Sequence, residues 1–209
     1  QETAHLVEQV GGRAVVVQGD VTVDADARRL VQETVDAFGR LDILVNNAGA
    51  TRFIPFDDLD AVTEEAWDAL YDVNVKGAFY CTRAAVSPIG EAGGGAVINI
   101  ASQSGLQPVG SSIPYSVSKA AMIHLTRCLA KVLAPDIRVN ALAPGFVGET
   151  RWYDGLPDYE ARAASAADST PMGQTASPAD VAEAAVYLAA ADAPITGVVL
   201  QVDGGAHLL

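Results

Sequence analysis

Basic residues are scarce in this chain of 209 residues, where 13 lysines and arginines stand against 26 aspartates and glutamates and the net charge is -13. A surface of that sign repels phosphate backbones and anionic headgroups, so neither nucleic acid nor a membrane is expected as a partner. Cysteine is scarcer still: Cys81 and Cys128 lie far apart with no C-x-x-C, which argues against a disulfide scaffold. His5, His124 and His207 are scattered without ligand spacing, so no metal is expected. There is no run of about 18 apolar residues for a membrane span and no charged-then-apolar leader, and a reducing cytoplasm is the expected compartment. Repeats, low-complexity tracts and a Pro/Gly/Ser-rich linker are also missing. Half of the residues are apolar, enough for one sizeable core, so residues 1–209 are expected to form a single domain.

What is present alternates between two periodicities. Residues 1–10 read as the end of a helix stopped by Gly11 and Gly12, and RAVVVQGD (13–20) reads as a short buried strand. Ala27, Leu30, Val31, Thr34, Val35 and Phe38 recur at helical spacing before Gly39. LDILVNNA, AVINI, IRVNALAP and VVLQVDGG read as strands, with helical segments around Trp67, from Val75 toward Ala85, and from Tyr115 to near Pro135. Ser177, Pro178 and Asp180 make a helix start, and residues 145–176 read as a long irregular loop or lid. Alternating strands and helices imply an α/β fold with a parallel, doubly wound sheet.

The chemistry is concentrated in SQSGLQPVGSSIPYSVSK (102–119). Tyr115 and Lys119 are four apart and share one face of a helix, where an ammonium beside a phenol favours the phenolate and suits proton transfer. Ser102 follows the apolar run AVINIA and so stands at a strand's carboxyl end, where open α/β sheets place their ligands. Such a pair also arises by chance on a solvated helix face. The rest of the chain decides the matter: GDV at 19–21, NNAG at 46–49, Asn74 within DVNVKGAF, Pro144-Gly145, and ITGVVLQVDGG at 195–205 follow in order. This succession resembles the short-chain dehydrogenases/reductases, which have a Rossmann-like sheet, and the likeness covers nearly the whole chain.

The resemblance implies an NAD- or NADP-dependent oxidoreductase interconverting an alcohol and a ketone, with Asn74, Ser102, Tyr115 and Lys119 as the catalytic set. Tyr115 would pass the proton, Ser102 would polarise the substrate oxygen, Lys119 would lower the tyrosine pKa and bind the nicotinamide ribose, and Asn74 would position a relay water. Asp20 and Val21 would meet the adenine, although Asp20 also suits a plain turn. Asn46, Ala48 and Gly49 would line the cofactor, together with Tyr115, Lys119, Pro144, Gly145 and Val147. Thr150 stands one position late for the family threonine and is not included. Arg151, Trp152, Tyr153 and Tyr159 fall in the lid, where aromatics suit either an apolar substrate or packing. The family is commonly a homo-dimer or homo-tetramer.

One family feature is lacking, namely the glycine-rich phosphate turn with its first two strands; Gly93 to Gly95 precede a strand and read as a turn. The sheet is therefore expected to be N-terminally incomplete, leaving RAVVVQGD without its neighbours, unless upstream residues exist or the strand re-pairs beside LDILVNNA or with another subunit. Two other classes compete with the enzyme. One is a truncated, non-catalytic paralogue with a structural or assembly role. The other is acyl-enzyme chemistry at Ser116-Val117-Ser118-Lys119, an S-x-x-K match that lacks the K-T-G those enzymes need.

Overall fold

The computed structural model describes residues 2–153, 158–190 and 194–209. Its sheet contains β1 (Ile43–Asn46), β2 (Gly95–Ile100), β3 (Ile137–Pro144) and β4 (Val199–Val202), all parallel and adjacent in that order. β2 and β3 are nearly continuous apolar runs because both of their faces are covered. Val97 and Val139 point to one face and pack with Val31, Ala85, Ile89 and Leu129. The first helix, α1 (Glu2–Gln9), buries no residue; these partners come from α2 (Asp24–Phe38), α4 (Ala78–Glu91) and α5 (Ile113–Leu133). Ile98, next after Val97, and Leu142, three residues after Val139, point the other way onto Leu188 of α7 (Pro178–Ala189). Helices on both faces of a parallel sheet make the doubly wound arrangement.

Local chemistry sets the helix ends. Gly39 takes φ 79° and its amide bonds back to the Val35 carbonyl, closing α2 in a conformation that favours glycine. At α7 the Ser177 side chain accepts from the Asp180 amide while Asp180 accepts from the Ser177 amide, a reciprocal cap worth about 1 kcal/mol. Arg138 of β3 donates to the carbonyls of Leu188, Ala189 and Ala190 at the other end of α7, satisfying groups that the last helical turn leaves open. Two buried asparagines in register, Asn46 of β1 and Asn99 of β2, join side chain to side chain at 2.8 Å, and Asn99 continues to Thr126 of α5 at 2.9 Å.

The structure corrects two expectations. RAVVVQGD belongs to no strand: Val15 and Val16 are 46% and 59% exposed, and β1 forms the sheet edge without it. A β-strand is stabilised by its neighbours, and this segment has no ladder to join. The long loop, in turn, contains α6 (Tyr159–Asp168). Its YEARAASAAD sequence buries no residue, so its hydrophobic period is silent, and the helix follows from its five alanines and their propensity. Among the described residues no helix is long and apolar enough to cross a membrane.

Candidate active site

The carboxyl ends of β1, β2 and β3 open on one side of the sheet, and there a cleft of about 1510 Å³ is lined by Ser102, Tyr115 and Lys119. Each is fixed by its element. Ser102 is the extended residue after β2, where its hydroxyl caps the following turn by accepting from the Ser104 amide at 3.2 Å. Ser112 caps α5 through the Tyr115 amide at 3.3 Å, so Tyr115 stands in the first turn with Lys119 one turn later. Both are buried, at 8% and 3% exposure. Lys119 Nζ donates to the Ile100 carbonyl at 2.8 Å and lies 5.8 Å from the centre of the Tyr115 ring.

Burial dominates the electrostatics. It pulls the Lys119 pKa down to about 8, because removing an ammonium from water disfavours its charged form. It pushes the Tyr115 phenol up, opposed by the neighbouring Ser102 hydroxyl. The lysine stands over the ring and donates to a carbonyl, while loss of hydration acts on the tyrosine hydroxyl itself.

Asn74 is fully buried in a π-helical turn, Asp72–Gly77, between α3 (Glu64–Tyr71) and α4. Its side chain accepts from the Ala50 amide at 2.8 Å and donates to the Ala50 carbonyl at 3.0 Å and to Ser118 Oγ at 2.9 Å. Ser118 in turn donates to the Tyr115 carbonyl at 2.7 Å. Asn74 thus ties the loop after β1 to the helix that carries the tyrosine, a role invisible in sequence because its partners are tertiary. Ser116, the serine of the S-x-x-K match, donates to the Ser104 carbonyl at 2.5 Å and braces the same turn.

Ala48, Gly49, Pro144, Gly145 and Val147 line the cleft as placed by sequence, and so does Thr150. Asn46 does not: its amide turns inward to Asn99 and to Thr82, the latter at 3.0 Å, while Asn47 takes the lining position. Asp20 lies on a separate surface depression and accepts from the amide and hydroxyl of Thr22, the turn alternative. Val21 packs against Gly77, where an added Cβ would come within 2.8 Å of its side chain. Trp152 stands against Tyr115 with ring centres 6.0 Å apart.

The cleft suits a nucleotide carrying a ribose. Of the three N–H groups of Lys119, the Ile100 carbonyl takes one, which leaves a buried ammonium able to donate to hydroxyls. Gly49 keeps the neighbouring space open, since a Cβ there would stand 3.7 Å from Lys119 Nζ and 3.5 Å from Asn74 Oδ1.

Residues 1–207 match the family described as "Enoyl-(Acyl carrier protein) reductase". A protein of Streptomyces violaceoruber named for ketoacyl reductase 2 of the granaticin polyketide synthase is 47% identical over 94% of this chain and 78% of its own length. A crystal structure from Burkholderia xenovorans, described as a short-chain dehydrogenase/reductase, is 36% identical with a TM-score of 0.90, covering 98% of this chain and 81% of that one. The gluconate 5-dehydrogenase of Burkholderia cenocepacia, solved with NADP and tartrate, is 32% identical with a TM-score of 0.89 over all of this chain and 81% of that one.

Proposed function

Because the chain belongs to the short-chain dehydrogenase/reductase family, we propose that it is an NAD(P)-dependent oxidoreductase interconverting a secondary alcohol and a ketone. The observation that carries this reading is the convergence of Ser102, Tyr115 and the buried Lys119 on one cleft at the carboxyl ends of the strands. In the reducing direction Ser102 donates a hydrogen bond to the carbonyl oxygen, and Tyr115 gives its phenolic proton to that oxygen as the alcohol forms. The phenolate then regains a proton from solvent. Donors aimed in advance at an oxygen that gains negative charge lower the barrier without reorganising. A nicotinamide dinucleotide supplies or accepts the hydride when bound.

Lys119 would hold the ribose through its remaining N–H groups, Asn74 keeps the tyrosine helix in place, and Gly49 and Gly145 form the floor. A neighbour solved with NADP supports a nicotinamide cofactor, and a relative named for ketoacyl reduction supports a ketone. Exposed Val186 and Tyr187 of α7, with Leu208 and Leu209, offer apolar surface for a homo-dimer or homo-tetramer of this one-domain chain.

The test is a titration with NADH and NADPH followed by the fluorescence of Trp67 and Trp152, repeated with Tyr115→Phe. Binding is expected to persist in the variant while turnover falls about 10²- to 10⁴-fold, the usual worth of a positioned acid or base. Near-wild-type turnover by Tyr115→Phe would remove the tyrosine from its role. Absence of binding by the folded chain would favour the non-catalytic paralogue.

A further inference from the structure

We propose that the substrate side of the cleft takes an aryl carbonyl compound and that Trp152 selects it; this rests on the oxidoreductase reading above. Large apolar side chains normally leave water, yet Phe53, Val109 and Trp152 remain 48%, 44% and 36% exposed while lining the same cleft. An exposed apolar group of this kind marks a surface that a ligand completes.

Trp152 is placed where it must meet that ligand. Its ring lies 6.0 Å from that of Tyr115 at an angle of 52°. A carbonyl whose oxygen reaches the Tyr115 hydroxyl therefore carries its substituents past the indole. The backbone beside the indole is anchored by its neighbour. Tyr153, the next residue, stacks on Phe146 with centres 4.4 Å apart and planes within 9°, and Tyr159 closes the cluster at 5.9 Å from Tyr153. The Tyr159 hydroxyl accepts from the Glu149 amide at 3.1 Å, tying α6 to the start of the same loop. An indole carried on an anchored backbone pays less ordering cost when a ligand meets it.

A saturated substituent of equal size would gain the same burial from these walls. A flat π-system adds the quadrupole term of an offset or tilted aromatic pair, which corresponds to roughly three- to tenfold in affinity. Of the α6 residues that line the cleft, Ala161, Ser165 and Ala166 are small and Arg162 is long, so a flat ring is accommodated over the small ones.

The experiment compares 1-tetralone with its saturated counterpart trans-1-decalone, using calorimetric binding to the full chain with NADP present and, separately, NADPH-dependent reduction. 1-Tetralone is expected to bind three- to tenfold more tightly, with the preference lost in Trp152→Leu and kept in Trp152→Phe. Equal binding of the two ketones by the wild type, binding of neither, or an unchanged preference in a folded Trp152→Leu overturns the inference. The wild-type comparison decides even if the leucine variant does not fold. Preferential binding without reduction would sink the oxidoreductase reading and leave the aryl site standing. Reduction of both ketones with equal kcat/KM would do the reverse.

Discussion

Lys119 bears the largest electrostatic cost at the site, because its ammonium is buried with one carbonyl as protein partner. Its pKa falls from 10.5 to about 8, so between those values the folded chain has released a proton that the unfolded chain still holds. Stability therefore rises with pH through that window, and below pH 8 the full penalty, roughly 3 kcal/mol, is present. Lys119→Met is expected to stabilise the cofactor-free protein at pH 7 by about 1–3 kcal/mol, less whatever the Ile100 carbonyl loses, while abolishing turnover. The gain should shrink toward pH 10. Urea midpoints of both proteins at pH 7 and pH 10 decide it, and a methionine variant less stable than wild type at pH 7 contradicts the argument. Burial of Tyr115 has the opposite chemical use: a phenol held above its ordinary pKa stays protonated at neutral pH, the form that reduction needs. In the proposed reaction alcohol oxidation would use the phenolate, so its initial rate, measured against pH in both directions, should climb with pH across a range where ketone reduction does not.

At the scale of elements, the π-helical turn Asp72–Gly77 positions Asn74, which a regular α-helix through the same residues would aim elsewhere. Asn74→Ala strands the Ala50 amide and carbonyl and one partner of Ser118, a loss of about 2–4 kcal/mol with a parallel fall in turnover. A variant within 0.5 kcal/mol of wild type in chemical denaturation would mean that the turn is held by other contacts. The elements most legible in sequence are those whose partners are local or whose faces are fully buried. β2, β3, the α2 stop at Gly39 and the Ser177–Asp180 cap belong here, as does the Ser102, Tyr115 and Lys119 set, whose spacing puts the serine at a strand end and the pair on one helix face, with the order of the other motifs setting it apart from chance. Asn74 could be singled out by motif, yet its bonds to Ala50 and Ser118 depend on how two distant segments meet. Asn46 turns its side chain away from the cleft for a related reason: adjacent residues of a strand face opposite ways, and the motif does not say which asparagine of NNAG turns inward. α6 gave no signal because none of its residues is buried.

At the scale of the molecule, the covering of the sheet is uneven. α7 packs across β2, β3 and β4, whereas α4 covers β1 from the opposite face, where Leu44 joins the core. Ile43 and Val45, which alternate with Leu44, are left 45% and 46% exposed on a strand that is also the sheet edge. In the 209-residue chain taken by itself, an edge with unpaired backbone groups and apolar side chains is a template for pairing with a further strand, and a net charge of -13 works against pairing with a second copy. The opposition is a screened one, since the Debye length falls from about 10 Å at 0.1 M salt to about 3 Å at 1 M. Self-association of the 209-residue chain should therefore increase with salt. Val45→Lys should suppress it by placing a charge on the edge, at little cost in stability because the side chain is half exposed. Light scattering of the two proteins from 0.05 to 1 M salt provides the measurement. Equal association by both would place the sticky surface elsewhere, with the exposed Val186 and Tyr187 of α7 next to be tested.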